Sequence, residues 1–538
     1  MSNSAMRDSE ARDSEARDSE ARDSAPDTDV VIAGAGPVGL MLACELALAG
    51  VRPVVLDRLT ERSTEQKANG LAGQVVRLLD RRGLYEPLGG TGTPQPVPRF
   101  VFGAFPLDLR EVEDNALYTL LAPQHRIEAV LERRARELGI DLRQGCELTG
   151  FTDTPDGVTV EYRGPDGDRR LRARYLVGAD GGRSTVRKLA GIGFPGVTAP
   201  DPVSLTTHAI LPDTVRTTDT GAFLLPGCPT PIAPFTHTRT EHGVVVVAPV
   251  SPDATILATM EWGRPAADEA APPTLDELRA SLLRVTGADL ALAPAPAPFP
   301  QGVRRQAGHN TRLADRYRQG RVLLVGDAAH AHAAVGGPGL NLGLQDAANL
   351  GWKLAADVRG WAPDGLLDSY HRERHPIGAR VYMHTQAQMA LMSPGPGITA
   401  IRALFGELLA HPDNLGRIAA LMAGGDVRYA VDCAHPLAGR FAPDLTARTS
   451  QGAVRLAELA RGSRPLLLDL TGGDAGLADR AAGWKDRVDT VAADCPEAPA
   501  GALLLRPDGY VAWACDAGAA DPDGLERALR TWFGAPRG

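Results

Sequence analysis

Several features are missing from this chain of 538 residues. No apolar run approaches the ~18 residues of a membrane-spanning helix, so no span is expected. There is no basic surplus: 57 Lys and Arg stand against 66 Asp and Glu, a formal net charge of −9. A general nucleic-acid binder needs a basic surface to neutralise phosphates and is excluded on that ground. Aromatic residues are scarce, at 5%. None of the six cysteines (Cys44, Cys146, Cys228, Cys433, Cys495, Cys515) forms a C-x-x-C. Neither a redox dithiol nor a zinc knuckle is therefore indicated, and scattered reduced thiols are expected. The N-terminus has no apolar h-region, which argues against a signal peptide and for cytoplasmic residence. Glycine (59) and proline (42) are somewhat high, and 43% hydrophobic with 23% charged residues is ordinary for a globular protein. Composition names no function.

Residues 1–27 are a tail built on a repeated Ala-Arg-Asp-Ser-Glu unit. It has no apolar face to offset its ordering entropy, so a solvated, disordered segment is expected, with a short free helix as the alternative. From Thr28 the pattern changes. Val30–Ala33 reads as a buried parallel strand, Leu40–Leu48 as a helix and Val51–Leu56 as a second strand, which together make a βαβ unit. Alternating stretches over 97–121 and 203–262 read as antiparallel strands. Leu275–Thr286 reads as an amphipathic helix, and the Ala- and Pro-rich 291–300 as an extended connector. Arg321–Val325 returns to the parallel-strand pattern, followed by helices over Leu340–Val358, Tyr370–Met392 and Ile398–Met422. The last ~100 residues suit a separate small α/β domain. It has strands at Pro465–Leu470, Val488–Ala493 and 502–513, helices at Ala475–Trp484 and Asp523–Phe533, and a hairpin turn on Pro507-Asp508-Gly509.

Three motifs carry chemistry. The first is Gly34-Ala-Gly36-Pro37-Val38-Gly39, between a strand and a helix. In the dinucleotide fingerprint the first glycine makes the tight turn, the second admits the pyrophosphate to the backbone, and the third lets the helix pack on the strand. The helix N-terminus then holds the diphosphate. Asp57, at the end of the second strand, suits the ribose hydroxyls of an adenosine. The motif does not separate NAD from FAD, and a βα turn without ligand would explain it locally. The second is Asp180-Gly-Gly-Arg-Ser184-Thr-Val-Arg187, where Asp180 can cap amides and Ser184 can be an N-cap. The third is Gly326-Asp327-Ala-Ala-His330, followed by Gly336-Gly-Pro338-Gly339-Leu340-Asn341. An acid at a strand end suits a polyol hydroxyl, a plain cap being the alternative, and the following helix N-terminus is a fixed positive partial charge.

In this order and spacing the three motifs resemble those of the class A flavoprotein aromatic hydroxylases, and within them the FAD-dependent hydroxylases of aromatic polyketides such as angucyclinones. The likeness spans nearly everything after Thr28. It extends to Gln124 before a helix, to the stretch from Leu366 to His375, and to Arg506-Pro-Asp-Gly-Tyr-Val-Ala-Trp513. The resemblance implies an α/β fold. A Rossmann-like, para-hydroxybenzoate-hydroxylase-like FAD-binding domain would use residues 28–96, 122–196 and 303–393. An antiparallel-sheet substrate domain would use 97–121 and 197–302, a helical connection 394–435, and a thioredoxin-like domain without C-x-x-C 436–538. It implies bound FAD, with NADPH or NADH as transient co-substrate, and O2. The FAD contacts it implies are Gly34, Gly36, Pro37, Val38, Gly39, Asp57, Arg58, Lys67, Gln124, Leu148, Asp180, Asp327, Pro338, Gly339, Leu340 and Asn341. Asp180 belongs to a motif linked to both FAD and NADPH.

The implied reaction is hydroxylation of a polycyclic aromatic polyketide through a flavin C4a-hydroperoxide, in a water-excluding cavity between the flavin loop and the antiparallel sheet. No catalytic side chain is singled out, because the flavin carries the chemistry. His330 and His332 read as structural or as polar contacts. No metal, membrane or nucleic-acid partner is expected, and a homodimer is left open. This chain departs from the family at His332-Ala-Ala334, at Pro338 where a glutamine is usual, and at Lys67 and Gln74 where arginines are common. Baeyer–Villiger insertion into a ketone, or a flavin-binding protein that does not oxygenate, are the alternatives.

Overall fold

The computed structural model describes residues 26–62, 68–264, 271–297, 299–333, 335–472 and 476–537. The N-terminal repeat, Lys67 and Ala334 lie outside the described residues.

The elements that position the site follow in chain order. Strand β1 (Thr28–Ala33), helix α1 (Pro37–Leu48) and strand β2 (Pro53–Asp57) open the fold, followed by α2 (Gln74–Asp80), α3 (Gln124–Glu137), β3 (Asp141–Gln144), β4 (Gly167–Gly178) and α4 (Thr185–Leu189). Next come β5 (Gly196–Ile210), β6 (Val244–Ser251), β7 (Ala254–Glu261), α5 (Leu275–Thr286), β8 (Arg304–Leu313), β9 (Val322–Leu324) and β10 (His330–Ala331). Helices α6 (Pro338–Val358), α7 (Ser369–Met392), α8 (Pro396–Leu409) and α9 (Pro412–Ala423) lead to β11 (Leu466–Asp469), β12 (Asp489–Ala492), β13 (Ala502–Leu505), β14 (Val511–Cys515) and α10 (Pro522–Phe533).

Two large sheets share the middle of the molecule. In the first, β9, β4, β1, β2 and β3 run parallel in that order. Val30, Val31 and Ile32 are fully buried, as strands covered on both faces must be. The second is antiparallel, in the order β6, β7, β5, β8, β10 after the short strand His237–Arg239. The chain passes from one sheet to the other between β9 and β10, so Gly326-Asp327-Ala328, a turn of 3₁₀ helix, sits at their junction. The C-terminal sheet has the order β12, β11, β13, β14, with only β11 and β12 parallel.

Three expected elements differ in extent. The helix expected over Ile398–Met422 is two, α8 and α9, because Pro412 starts a new first turn that the His411 side chain caps by accepting from the Asp413 N–H at 3.3 Å. A proline fits there and not in a helix interior. The second strand starts at Pro53 rather than Val51, since the Val51 N–H donates to Leu46 O (2.9 Å) and closes α1. The helix expected up to Trp484 is α-helical only over Leu477–Ala481 and ends in a 3₁₀ turn. All six cysteines are free. Among the described residues no helix is long and apolar enough to cross a membrane, and no cluster of His, Cys, Asp and Glu could hold a metal ion.

Candidate functional site

The first turn is shaped by contacts that only glycine allows. Gly34 has φ 108°, and a Cβ there would lie 2.4 Å from Ala179 O. A Cβ at Gly39 would lie 2.0 Å from Gly34 O. Gly36 is different: its φ of −67° and ψ of 176° suit any residue, and a Cβ there would meet nothing within 4 Å. Space is thus kept open outside the backbone at the N-terminus of α1. Pro37 and Val38 begin that helix with a proline in its first turn and no side-chain cap, which leaves the first-turn amides without a side-chain acceptor. Asp57, at the end of β2, accepts from Ala35 N–H (2.6 Å) through Oδ2 and from Leu59 N–H (2.8 Å) through Oδ1. It braces the turn, and each oxygen keeps a second lone pair.

The second turn caps itself. Asp180 Oδ2 accepts from the N–H groups of Thr185 (2.7 Å) and Val186 (3.1 Å), and Ser184 Oγ from that of Arg187 (2.9 Å). Asp180 Oδ1 is buried with no hydrogen-bond partner, a state that points to an outside donor. In the third motif, Asp327 is exposed and its Oδ1 lies 3.7 Å from where a Cβ would stand on Gly339. Pro338 is in the first turn of α6, which has no side-chain cap. The Asn341 side chain ties that turn down, accepting from Ala72 N–H (3.1 Å) and donating to Gly337 O (3.0 Å).

These three motifs meet. Gly34 rests on Ala179 and Asp180, and Gly326 rests on Val38. Arg187 donates to Ala328 O (2.8 Å), 141 residues away, and to Gly182 O (2.9 Å). Two helix N-termini and two strand-end acids therefore surround one region, an arrangement that suits a long anionic dinucleotide. The open space at Gly36 and the unpartnered Asp180 oxygen both fit FAD. Around this core, Arg58 is exposed just after Asp57. Leu148 lies on the strand Glu147–Thr154, two residues after Cys146, whose N–H donates to Asp57 O (2.7 Å). Gln124 opens α3, and its side chain donates to Glu128 (2.7 Å).

His330 is buried, and its Nε2 lies 2.6 Å from Asp346 Oδ2, while Arg374 Nε donates to Asp346 Oδ1 at 2.7 Å. Burial alone would raise the Asp346 carboxyl, but Arg374 and His330 outweigh it and hold it below the usual range. His330 is thus built into the scaffold. His332 stacks on it with ring centroids 5.2 Å apart. Burial, with His330 and His384 adding to it, holds His332 well below the ordinary histidine range. On the side of the antiparallel sheet, Val244, Met260 and Trp262 meet Ala333, Val335, Met389 and Met392 in one apolar cluster.

One feature is only partly visible in the sequence. A cleft of about 370 Å³ beside the second turn is lined by Arg183, Arg187, Lys188 and Arg312, with Gly182 and Phe194. Arg187 stands 3.7 Å from the Phe194 ring centre. Its cations come from two segments over a hundred residues apart, so no window along the chain shows them together.

Comparison with known proteins gives the same picture. The family described as FAD binding domain matches residues 27–385, and that described as aromatic-ring hydroxylase, C-terminal, matches 435–536. Anhydrotetracycline monooxygenase of Streptomyces rimosus is 44% identical over 522 residues, 94% of this chain and 99% of that protein. The solved structure of the OxyS anhydrotetracycline hydroxylase from Streptomyces rimosus matches with a TM-score of 0.81 and 42% identity, over 95% of this chain and 99% of that one. CabE, an aromatic hydroxylase from angucycline biosynthesis, matches with a TM-score of 0.81 and 37% identity, over 95% of this chain and 100% of that one.

Proposed function

This chain belongs to the FAD-binding aromatic-ring hydroxylases and is an FAD-dependent monooxygenase, and from that premise we propose that it hydroxylates a polycyclic aromatic polyketide at the expense of NAD(P)H and O2. The relatives that act on such molecules support the substrate class.

FAD, when bound, supplies the redox and oxygen-activating chemistry; the protein supplies position, field and dryness. Gly34, Gly36 and Gly39, with the first-turn N–H groups of Val38 and Gly39, would hold the diphosphate, and Pro37, which has no N–H to offer, would start the helix there. Asp57 would accept from the adenosine ribose, with Arg58 and Gln124 near the adenosine and ribityl parts and the Leu148 backbone at the adenine. Asp327 and the Asp180 oxygen left without a partner would accept hydrogen bonds from hydroxyls of the ribityl chain. The backbone at Pro338, Gly339, Leu340 and Asn341 would face the isoalloxazine, where the positive end of α6 stabilises negative charge. The cleft with Arg183, Arg187, Lys188 and Arg312 would take the phosphates of the nicotinamide nucleotide, next to Asp180. The apolar cluster on β6, β7 and α7 would wall a flat substrate and exclude water.

In this reading residues 28–96, 122–196 and 303–393 form a Rossmann-like unit of the para-hydroxybenzoate hydroxylase type. Residues 97–121 and 197–302 form the substrate sheet and 394–435 a helical connection. Residues 436–538 form a thioredoxin-like module, which the four-stranded sheet β11–β14 and α10 support.

The convergence of three distant turns around the open face of Gly36 carries the proposal. The test is anaerobic mixing of the purified protein with NADPH, then aerobic assay against tri- and tetracyclic phenols with labelled O2. The expected result is bleaching of the bound flavin, substrate-dependent NADPH loss and a product heavier by one labelled oxygen with its rings intact. A flavin that never bleaches, or a product with an opened ring, refutes it.

A further inference from the structure

The Arg506-Pro-Asp-Gly509 turn does more than join β13 to β14. Arg506 and Asp508 are only 2% and 3% exposed. Arg506 donates to both oxygens of Glu373 on α7 (2.7 Å each), and Glu373 Oε2 also accepts from Lys353 Nζ on α6 (2.6 Å). Asp508 Oδ2 accepts from Asn349 Nδ2, also on α6 (2.9 Å). The Tyr429 hydroxyl lies 3.4 Å from that same Asn349 nitrogen and accepts from Arg374 Nη1 at 3.2 Å. Arg374 continues the path, donating to Asp346 (2.7 Å) and to Leu342 O (3.2 Å), and Asp346 holds His330. Buried polar contacts thus run from the C-terminal domain to Leu342, next to Asn341 in the first turn of α6, and into the third motif.

The same turn reaches the other cofactor helix. Arg82 donates to Pro507 O (2.6 Å) and to both oxygens of Glu45 on α1 (2.6 and 2.9 Å). Docking alone does not require this. Trp352 on α6 already packs on Trp532 and Phe533, with centroids 6.5 and 6.0 Å apart. Apolar burial is non-directional, whereas paired buried charges with satisfied hydrogen bonds specify one geometry.

We propose that the Arg506–Gly509 hairpin is a positioning element for the flavin: it grips the backs of α1, α6 and α7 and so sets where the first turn of α6 and His330 stand against the bound cofactor. The proposal rests on the reading that places FAD at the three turns.

The test titrates FAD into the deflavinated full-length protein and measures the reduction potential of the bound flavin, for wild type, Asp508→Asn, Tyr429→Phe and Arg487→Gln. Arg487 donates to Phe533 O (2.8 Å) within the C-terminal domain and serves as a control for simple destabilisation. Asp508→Asn and Tyr429→Phe are expected to weaken FAD binding about tenfold, as loss of an outer-layer contact does in metal sites, and to shift the potential. Arg487→Gln should lower the melting temperature and leave both readouts unchanged. Wild-type affinity and potential in both path variants, or an equal change in the control, overturns the proposal. Should Asp508→Asn fail to fold, Tyr429→Phe, which removes one hydroxyl, decides alone. Gly36→Ala separates the premise. If it binds FAD like wild type, the cofactor placement falls and takes the proposal with it. If it loses FAD while the path variants do not, only the positioning role is refuted.

Discussion

Two glycines of one motif, Gly36 and Gly39, should fail for opposite reasons. At Gly36 the backbone suits alanine and no atom stands within 4 Å of a new Cβ. Gly36→Ala should therefore leave the flavin-free protein as stable as wild type, or up to about 1 kcal/mol more stable through the less flexible unfolded chain. The methyl group would, however, occupy the approach of the diphosphate. Losing two hydrogen bonds to a charged group, at roughly 1.5 kcal/mol each, makes about 3 kcal/mol, or FAD binding weaker by more than about 100-fold. At Gly39 the new Cβ would fall 2.0 Å from Gly34 O. Backbone cannot yield as a side-chain tip can, so Gly39→Ala should destabilise the apoprotein by about 3 kcal/mol, a fall of about 3–6 °C in melting temperature for a folding unit of this size. Thermal melts without flavin, paired with FAD titration by fluorescence, separate the two outcomes. A Gly36→Ala apoprotein that melts well below wild type, or that keeps its FAD affinity, would refute this account of the turn.

Three further expectations follow from the geometry. Arg183→Gln combined with Lys188→Gln should raise KM for the nicotinamide nucleotide by about 5- to 30-fold, from roughly 0.5–1 kcal/mol per exposed charge, with kcat little changed; steady-state kinetics at low salt checks this, and an unmoved KM clears the cleft of that role. Ser184→Ala removes the cap on Arg187 N–H and should lower stability by about 1 kcal/mol, read as a shift of the urea midpoint. His384 is held down at about 4 by burial and by Arg380. Between pH 6.5 and 4 the unfolded chain therefore takes up a proton that the folded one refuses. The stability present above pH 6.5 should fall as pH drops towards 4, by about 3 kcal/mol from this group. His384→Gln should flatten that part of the pH–stability curve, and an unchanged slope would show that His384 is not its source.

The chemistry was legible wherever its residues are neighbours in the chain. Gly34, Gly36 and Gly39 announce the turn because strand, turn and helix follow one another directly from Thr28 to Leu48, and the self-capping of Asp180 and Ser184 is likewise local. Helix α5 appears over the expected span, Leu275–Thr286, because its apolar spacing and its Thr274 cap are both local signals. Pro412 broke an apparently continuous pattern, since periodicity reads the apolar stripe and overlooks the missing N–H.

What local pattern determined, then, was the kind of element and the kind of ligand: parallel strands ending in glycine turns that present unpaired amides to a dinucleotide. Only the tertiary structure decided which groups stand together. It set Arg187 on Ala328, Arg183 beside Arg312, and Arg506 on Glu373 across 133 residues. The reason is physical. Turn and helix preferences arise from steric and hydrogen-bonding limits within a few residues, whereas a buried ion pair or a shared cleft exists only after two sheets and the C-terminal domain have packed, and the chain separation of its members carries no trace of that contact.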